Sequence, residues 1–123
     1  MKAIGFEISE GLEDFLAFLR DAEEMNRIAQ VEEQENNNKQ QDLLHEIELS
    51  EHGYHDFAKL AKKMQEVRKS RRVAKDNQEV VSPLIEWVEM NRGVIKNLER
   101  VLGDVRKKER RLENRVYIPR AKE

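Results

Sequence analysis

The side chains best suited to chemistry in this sequence are arginines near its C-terminal end. Tyr117 lies between Arg115 and Arg120 in the segment Asn114–Arg120. An aromatic ring can stack on a nucleobase while guanidinium groups bind phosphate oxygens, so the segment suits an anionic ligand. A basic cluster precedes it, formed by Arg106, Lys107, Lys108, Arg110 and Arg111. The alternative is that Tyr117 and its apolar neighbours dock on a neighbouring helix.

Polar residues also interrupt otherwise apolar stripes, at Arg71, Gln78, Asn91 and Glu109. Single polar positions of this kind can fix helix register and oligomeric state. They could instead line a polar pocket between helices, where an arginine and an asparagine hold a ligand. On that second interpretation, the candidate ligand-binding residues are Arg71, Asn91, Arg111, Arg115, Tyr117 and Arg120.

Metal and enzyme chemistry find little support in the sequence. The three histidines fall at 45, 52 and 55, and Glu48 with His52 has a metal-ligand spacing on a helix. Paired Glu-x-x-His motifs, typical of di-iron bundles, are missing, so no metal site is expected. The chain has no cysteine and shows no phosphate-binding loop or nucleophile motif. We therefore expect neither a cofactor nor enzymatic activity.

Helices must position these residues, because the apolar spacing is helical almost throughout. Leu12, Leu16, Leu19 and Ala22 begin an amphipathic helix for which Ser9 is the expected N-cap. The alternation of Ile4, Phe6 and Ile8 favours a short N-terminal strand before it. No apolar residue occurs from 32 to 42, and three consecutive asparagines favour a break there over an exposed helix. A short helix then resumes over 43–49 and Gly53 ends it.

Two heptad stripes follow in the second half of the chain. The first runs from Phe57 to Val81 and the second from Leu84 to Val116, with Ser82–Pro83 between them. A capping serine and a proline at the first helical position predict a turn and an antiparallel, coiled-coil-like hairpin. One long helix kinked at Pro83 is the alternative. The fold class is therefore all-α, with an N-terminal amphipathic helix added to the hairpin, and uncovered apolar surface predicts a homo-oligomer, most simply a dimer.

A charge split divides the sequence into two parts. Residues 1–56 carry four Lys/Arg and fifteen Asp/Glu, whereas residues 57–123 carry nineteen and ten. The division predicts an acidic helical arm over 1–53 and a basic hairpin with an extended tail over 54–123. The two parts can attract each other or an outside partner. With no long apolar run and no recognisable signal segment, we expect a cytoplasmic location and no membrane partner.

Four segments resemble small helical proteins of unknown function from phages and prophages of low-GC Gram-positive bacteria. They are DLLHEIEL at 42–49, EVRKSRRVAKD at 66–76, Pro83-Leu84 and ENRVYIPR at 113–120. The resemblance covers about two-thirds of the chain and none of residues 1–41. It implies a phage product in a bacterial cytoplasm, and it supplies no catalytic or binding residues.

Three functions fit these observations. The first is a non-enzymatic protein that sequesters a small anionic nucleotide signal and so counters host defence. The second is a helical adaptor or inhibitor of a host protein, which would use the amphipathic helices and the acidic arm. The third is single-stranded nucleic-acid binding by the basic half.

Overall fold

A computed structural model describes residues 7–49, 51, 53–116, 119 and 121 of the chain. These residues form three α-helices: α1 at Ile8–Leu49, α2 at Tyr54–Met90 and α3 at Arg92–Glu113. No strand occurs within the described ranges. The expected strand falls on Ile4 and Phe6, which lie outside those ranges, and on Ile8, which instead begins α1. The all-α class is therefore confirmed.

Helix α1 is continuous over 42 residues, a length of about 63 Å at 1.5 Å per residue. The break expected across 32–42 is wrong, because α1 passes through all three asparagines. Asn36 is buried and Asn37 is half-buried, so tertiary packing outweighs their low helix propensity. Ser9 is likewise not the N-cap, since it lies inside the helix and is buried.

Helix α2 is also longer than the sequence pattern indicates. The turn expected at Ser82–Pro83 is wrong, because α2 continues through Pro83 to Met90. The hairpin built on that turn is therefore not formed there. Only Asn91 separates α2 from α3, with hydrogen bonds from Asn91 N–H to Val88 C=O (3.1 Å) and from Ile95 N–H to Asn91 C=O (3.0 Å). Gly53 lies between α1 and α2, as expected.

The chain forms two compact units. Unit 2 comprises residues 21–87 and pairs the later part of α1 with most of α2. Arg71 contacts Asn37 while Gln78 contacts Ala29, so the two helices run antiparallel where these bonds join them. The buried apolar residues of this pair are mainly small, and they are Ala22, Ala29, Leu60, Ala74 and Val81. A seam of this kind lets two helices approach closely.

Unit 1 comprises residues 1–20 and 88–123. Its buried apolar side chains come from the start of α1, the end of α2 and α3, and they are Leu16, Leu19, Val88 and Leu102. Along α3, the predicted stripe positions Ile95, Leu98 and Val105 are half-buried. From Ile95 to Glu109, the second heptad stripe is therefore the inward face of α3, as its spacing predicts, whereas Leu112 and Val116 at its end are exposed.

Candidate functional site

An apolar groove lies between the start of α1 and the last three turns of α3, within unit 1. It encloses about 260 Å³, and its lining residues are Ile8, Val101, Asp104, Val105, Lys108, Glu109 and Leu112. Ile8 and Leu112 are each 37 % exposed, so the groove presents apolar surface to solvent. Glu109, the polar interruption of the second stripe, is half-buried in this groove.

A basic cleft adjoins the groove along α3. It measures about 370 Å³ and is lined by Asp104, Lys107, Lys108 and Arg111. Asp104 and Lys108 line both concavities, so the groove has a cationic border on this side. Arg110 and Arg111 also lie in the last turn of α3, where positive side chains interact favourably with the helix dipole.

One ion pair positions the two helices that form the groove. Arg106 of α3 is bonded to Glu13 of α1 through a guanidinium nitrogen and a carboxylate oxygen. Arg20 approaches the same carboxylate at 3.9 Å. An acidic residue of the N-terminal arm is thus paired with the C-terminal basic cluster, as the charge split suggests. Both side chains of the Arg106–Glu13 pair are about half exposed, so its contribution is mainly one of orientation.

The residues proposed from sequence as an anion site are spread over the molecule. Asn91 and Arg111 lie at opposite ends of α3, about 30 Å apart along its axis. Arg115 follows the end of α3 and is exposed. Tyr117 and Arg120 lie outside the described residues. Arg111 lines a concavity together with other cations, those of Lys107 and Lys108.

Arg71 belongs to unit 2, where it has a protein partner. Its Nε donates to the side-chain oxygen of Asn37 at 2.5 Å. Gln78 donates from Nε2 to Glu33 at 2.7 Å and to the carbonyl of Ala29 at 3.3 Å. Both polar interruptions of the first stripe therefore bond α2 to α1, which favours their interpretation as register-setting residues.

A second basic surface lies on α2. Arg68, Lys69 and Arg72 border a shallow concavity of about 480 Å³, whose floor is Ala61, Met64 and Gln65. All of these residues belong to one helix. Among the described residues, this surface and the basic cleft on α3 are thus each formed by a single helix, whereas the groove is formed by α1 and α3.

Sequence reasoning missed Ile8 and Val101 as parts of a surface groove. Ile8 was assigned to a strand, and Val101 lies beside the heptad stripe rather than on it. The pairing of α3 with the start of α1 depends on contacts between residues about ninety positions apart, such as Arg106 with Glu13. The charge split predicts attraction between the acidic arm and this basic cluster, but neither charge nor periodicity specifies which turns of the two helices meet, so the groove itself was not predicted.

In the part of the chain that the structure describes, no group of three or more histidine, aspartate or glutamate side chains is placed to hold a metal ion. His45 and His55 are both exposed, and His52 lies outside the described residues. Within the same ranges, none of the helices combines the length and the apolar character needed to cross a bilayer.

The chain was compared with protein-family models, with curated proteins and with solved structures. None of the three comparisons gave a match.

Proposed function

We propose that the chain is a non-enzymatic protein-binding module that holds an acidic, amphipathic helix of a partner protein in the groove of unit 1. The main support for this proposal is the exposed apolar groove between Ile8 and α3, which is bordered by lysine and arginine. This is the adaptor or inhibitor function among those the sequence suggested. The phage setting that the sequence resemblance implies would make the partner a bacterial host protein.

The apolar lining favours a helix over a small polar ligand. Helix recognition places apolar side chains spaced three and four residues apart into a groove between helices. Val101, Val105 and Leu112 lie along about three turns of α3, a length that matches such a segment. A nucleotide phosphate would instead require several converging donors, and among the described residues that line the groove Lys108 is the one basic side chain.

Charge favours an acidic partner. Unit 1 contains thirteen Lys/Arg and ten Asp/Glu, a net charge of +3. The excess is concentrated on α3, which has eight basic and four acidic residues. Carboxylates beside the apolar face of a partner helix could pair with Lys107, Lys108 and Arg111, which would increase the association rate and fix the orientation.

Selection from a random displayed peptide library tests this proposal without a known partner. We expect enriched peptides to combine Leu, Ile or Phe at helical spacing with flanking Asp and Glu. Lys108→Glu and Leu112→Glu should each weaken binding of a selected peptide about tenfold or more, because each removes one required feature. Isothermal calorimetry gives the affinities, and circular dichroism verifies that the variants remain helical.

Lys96→Glu is the matched control, because it makes the same charge change on an exposed residue of α3 outside the groove. It should leave the affinity within about threefold of the original protein. Enrichment of basic or non-helical peptides would contradict the proposal. So would binding that Lys96→Glu weakens as strongly as Lys108→Glu.

Small-anion binding is the second candidate, favoured by the convergence of Lys107, Lys108 and Arg111 on one cleft. It predicts that nucleotides raise the melting temperature of the protein and that Arg111→Ala abolishes the rise. If the chain instead binds single-stranded nucleic acid, its affinity for single-stranded DNA or RNA should fall steeply with salt. Either result, with no peptide enriched, would replace the helix-binding proposal.

A further inference from the structure

Unit 2 is a single layer of two helices, and its two broad faces differ in polarity. The inward positions of α1 repeat at three- and four-residue steps, at Ala22, Asn26, Ala29, Glu33 and Asn36. Those of α2 repeat in the same way, at Ala74, Gln78, Val81 and Ile85. Within the described residues, the side chains on both broad faces of this pair are largely exposed. Stable helical domains contain at least two packed layers.

One face of the layer is polar. A cleft of about 440 Å³ on this side is lined by Asn26, Gln30, Gln78, Ser82, Ile85 and Glu86. The lining residues are inward positions (Asn26, Gln78 and Ile85) and their neighbours on one side (Gln30, Ser82 and Glu86). They occupy equivalent sides of the two heptad patterns. In an antiparallel pair, matching sides of the helices lie on the same face of the layer. The remaining lateral sides must therefore share the opposite face.

That opposite face carries an apolar patch. On α2 it contains Val73, Val80 and Trp87, which are seven residues apart and 58, 79 and 39 % exposed. On α1 it contains Met25 and Ile28, which are 44 and 43 % exposed. A strict seven-residue repeat of exposed apolar side chains on an already paired helix indicates a second packing seam.

The register joins these side chains into one patch. The bond from Gln78 to the Ala29 carbonyl places positions 78 and 29 at the same height, and the bond from Arg71 to Asn37 continues that register. Ile28 therefore lies level with Val80, and Met25 lies about one turn further along, level with half-buried Leu84.

We infer that this apolar face binds the same face of a second copy of the chain, giving an antiparallel four-helix bundle. The two-fold axis runs parallel to the helices. Helix α1 of each copy then lies over α2 of the other, and every neighbouring pair is antiparallel, as in up-down-up-down bundles. Ile28 of one copy faces Val80 of its partner.

Charge identifies a second copy as the occupant. Segment 32–42 of α1 has four acidic and one basic residue, a net charge of −3. Segment 66–76 of α2, at the same height in the layer, has two acidic and five basic residues, a net charge of +3. In the bundle each acidic segment has basic neighbours on both sides. A uniformly acidic or basic partner would place like charges together on one side, which is unfavourable.

Disulfide trapping tests the arrangement directly, because the chain has no cysteine of its own. Ile28→Cys and Val80→Cys proteins carrying different tags are mixed and oxidised. The bundle predicts a disulfide between the two variants and little within either one alone, because identical positions are diagonal to each other. The matched control pair, Gln30→Cys with Ser82→Cys, belongs to the polar face and should remain unlinked. Linking of Val80→Cys to itself, or equal linking of the control pair, would overturn the arrangement.

Mass in solution provides an independent readout. We expect the original chain to have twice the 14.6 kDa of one copy by light scattering, and Val80→Glu to have 14.6 kDa with unchanged helicity. Val80 is mostly exposed within the chain, so this substitution should leave the packing of α1 on α2 intact. A 14.6 kDa mass for the original chain would refute the inference. Val80 is remote in sequence from the groove residues of unit 1, so peptide binding there and self-association can fail separately.

Discussion

Side chains that bond α1 to α2 in unit 2 explain why polar residues occupy heptad positions. Arg71 and Asn37 are both half-buried, and their hydrogen bond measures 2.5 Å. Gln78 Nε2 donates to Glu33 at 2.7 Å and lies within hydrogen-bonding distance of the carbonyls of Ala29 and Ala74. A shift of one heptad would separate these donors from their acceptors. Because an unpaired polar group in such a seam is costly, the bonds disfavour other registers.

Exposed ion pairs within one helix, in contrast to these bonds, do not specify which helices pack together. Arg27 donates from Nε to Glu24 at 3.0 Å, and this hydrogen bond lowers the pKa of the Glu24 carboxyl. Both residues are exposed members of a single helix turn. The pair therefore supports α1 locally and carries no information about which helix packs against it.

Asn37→Leu tests the residue-scale argument. It removes the acceptor of Arg71, and we expect the free energy of unfolding to fall by about 1 to 2 kcal/mol. Urea denaturation followed by circular dichroism, at one protein concentration, measures this change. Adding Arg71→Leu should recover most of the loss, because an apolar pair leaves no unpaired group.

The matched control is Asn38→Leu, in which the neighbouring and exposed asparagine is replaced. Its unfolding free energy should remain within about 0.5 kcal/mol of the original. An Asn37→Leu protein as stable as Asn38→Leu would show that the Arg71 bond does not stabilise the helix pair.

At the scale of elements, the inward faces were predictable and the helix ends were not. Every inward position from Leu60 to Val81 follows the spacing found in the sequence. The predicted helix ends were wrong where the low helix propensity of asparagine or proline disagreed with the seven-residue repeat. Val81 and Val88 are seven apart across Pro83, and Ala29, Asn36 and Leu43 are seven apart across the polar segment. The seven-residue repeat therefore continues through both sites. An unbroken repeat predicts a continuous helix better than a proline or a run of asparagines predicts the end of one.

Substitution of Pro83 tests how much a proline inside α2 destabilises that helix. Pro83 lies inside α2 and has no N–H to donate to the carbonyl of Glu79. Pro83→Ala restores that donor at an exposed site, so we expect a gain of about 1 to 3 kcal/mol. Thermal denaturation should show a melting temperature several degrees higher.

Ser82→Ala is the control, since it alters the adjacent exposed position without adding a backbone donor. It should change the melting temperature by much less than Pro83→Ala does. A lower melting temperature for Pro83→Ala would mean that the packing of α2 requires the local geometry imposed by proline.

For the molecule as a whole, the charge split is used mainly for internal pairing. Acidic α1 meets a basic partner segment in each unit, as Glu13 with Arg106 and the 32–42 segment with 66–76 show. The sequence predicted this attraction but assigned the basic half to a hairpin of its own. It could not reveal that α1 contributes to both units, because the spacing of apolar residues along α1 does not specify which helix packs on which of its segments.

The same pairing predicts how the stability of the molecule responds to salt. Attraction between exposed opposite charges is screened over about 10 Å at 0.1 M ionic strength. We therefore expect the melting temperature to fall by a few degrees as sodium chloride is raised from low to physiological concentration. Sucrose at equal osmolality is the control and should produce no fall, because it does not screen charge. A melting temperature that rises with sodium chloride would indicate that repulsion within the acidic and basic segments exceeds the attraction between them.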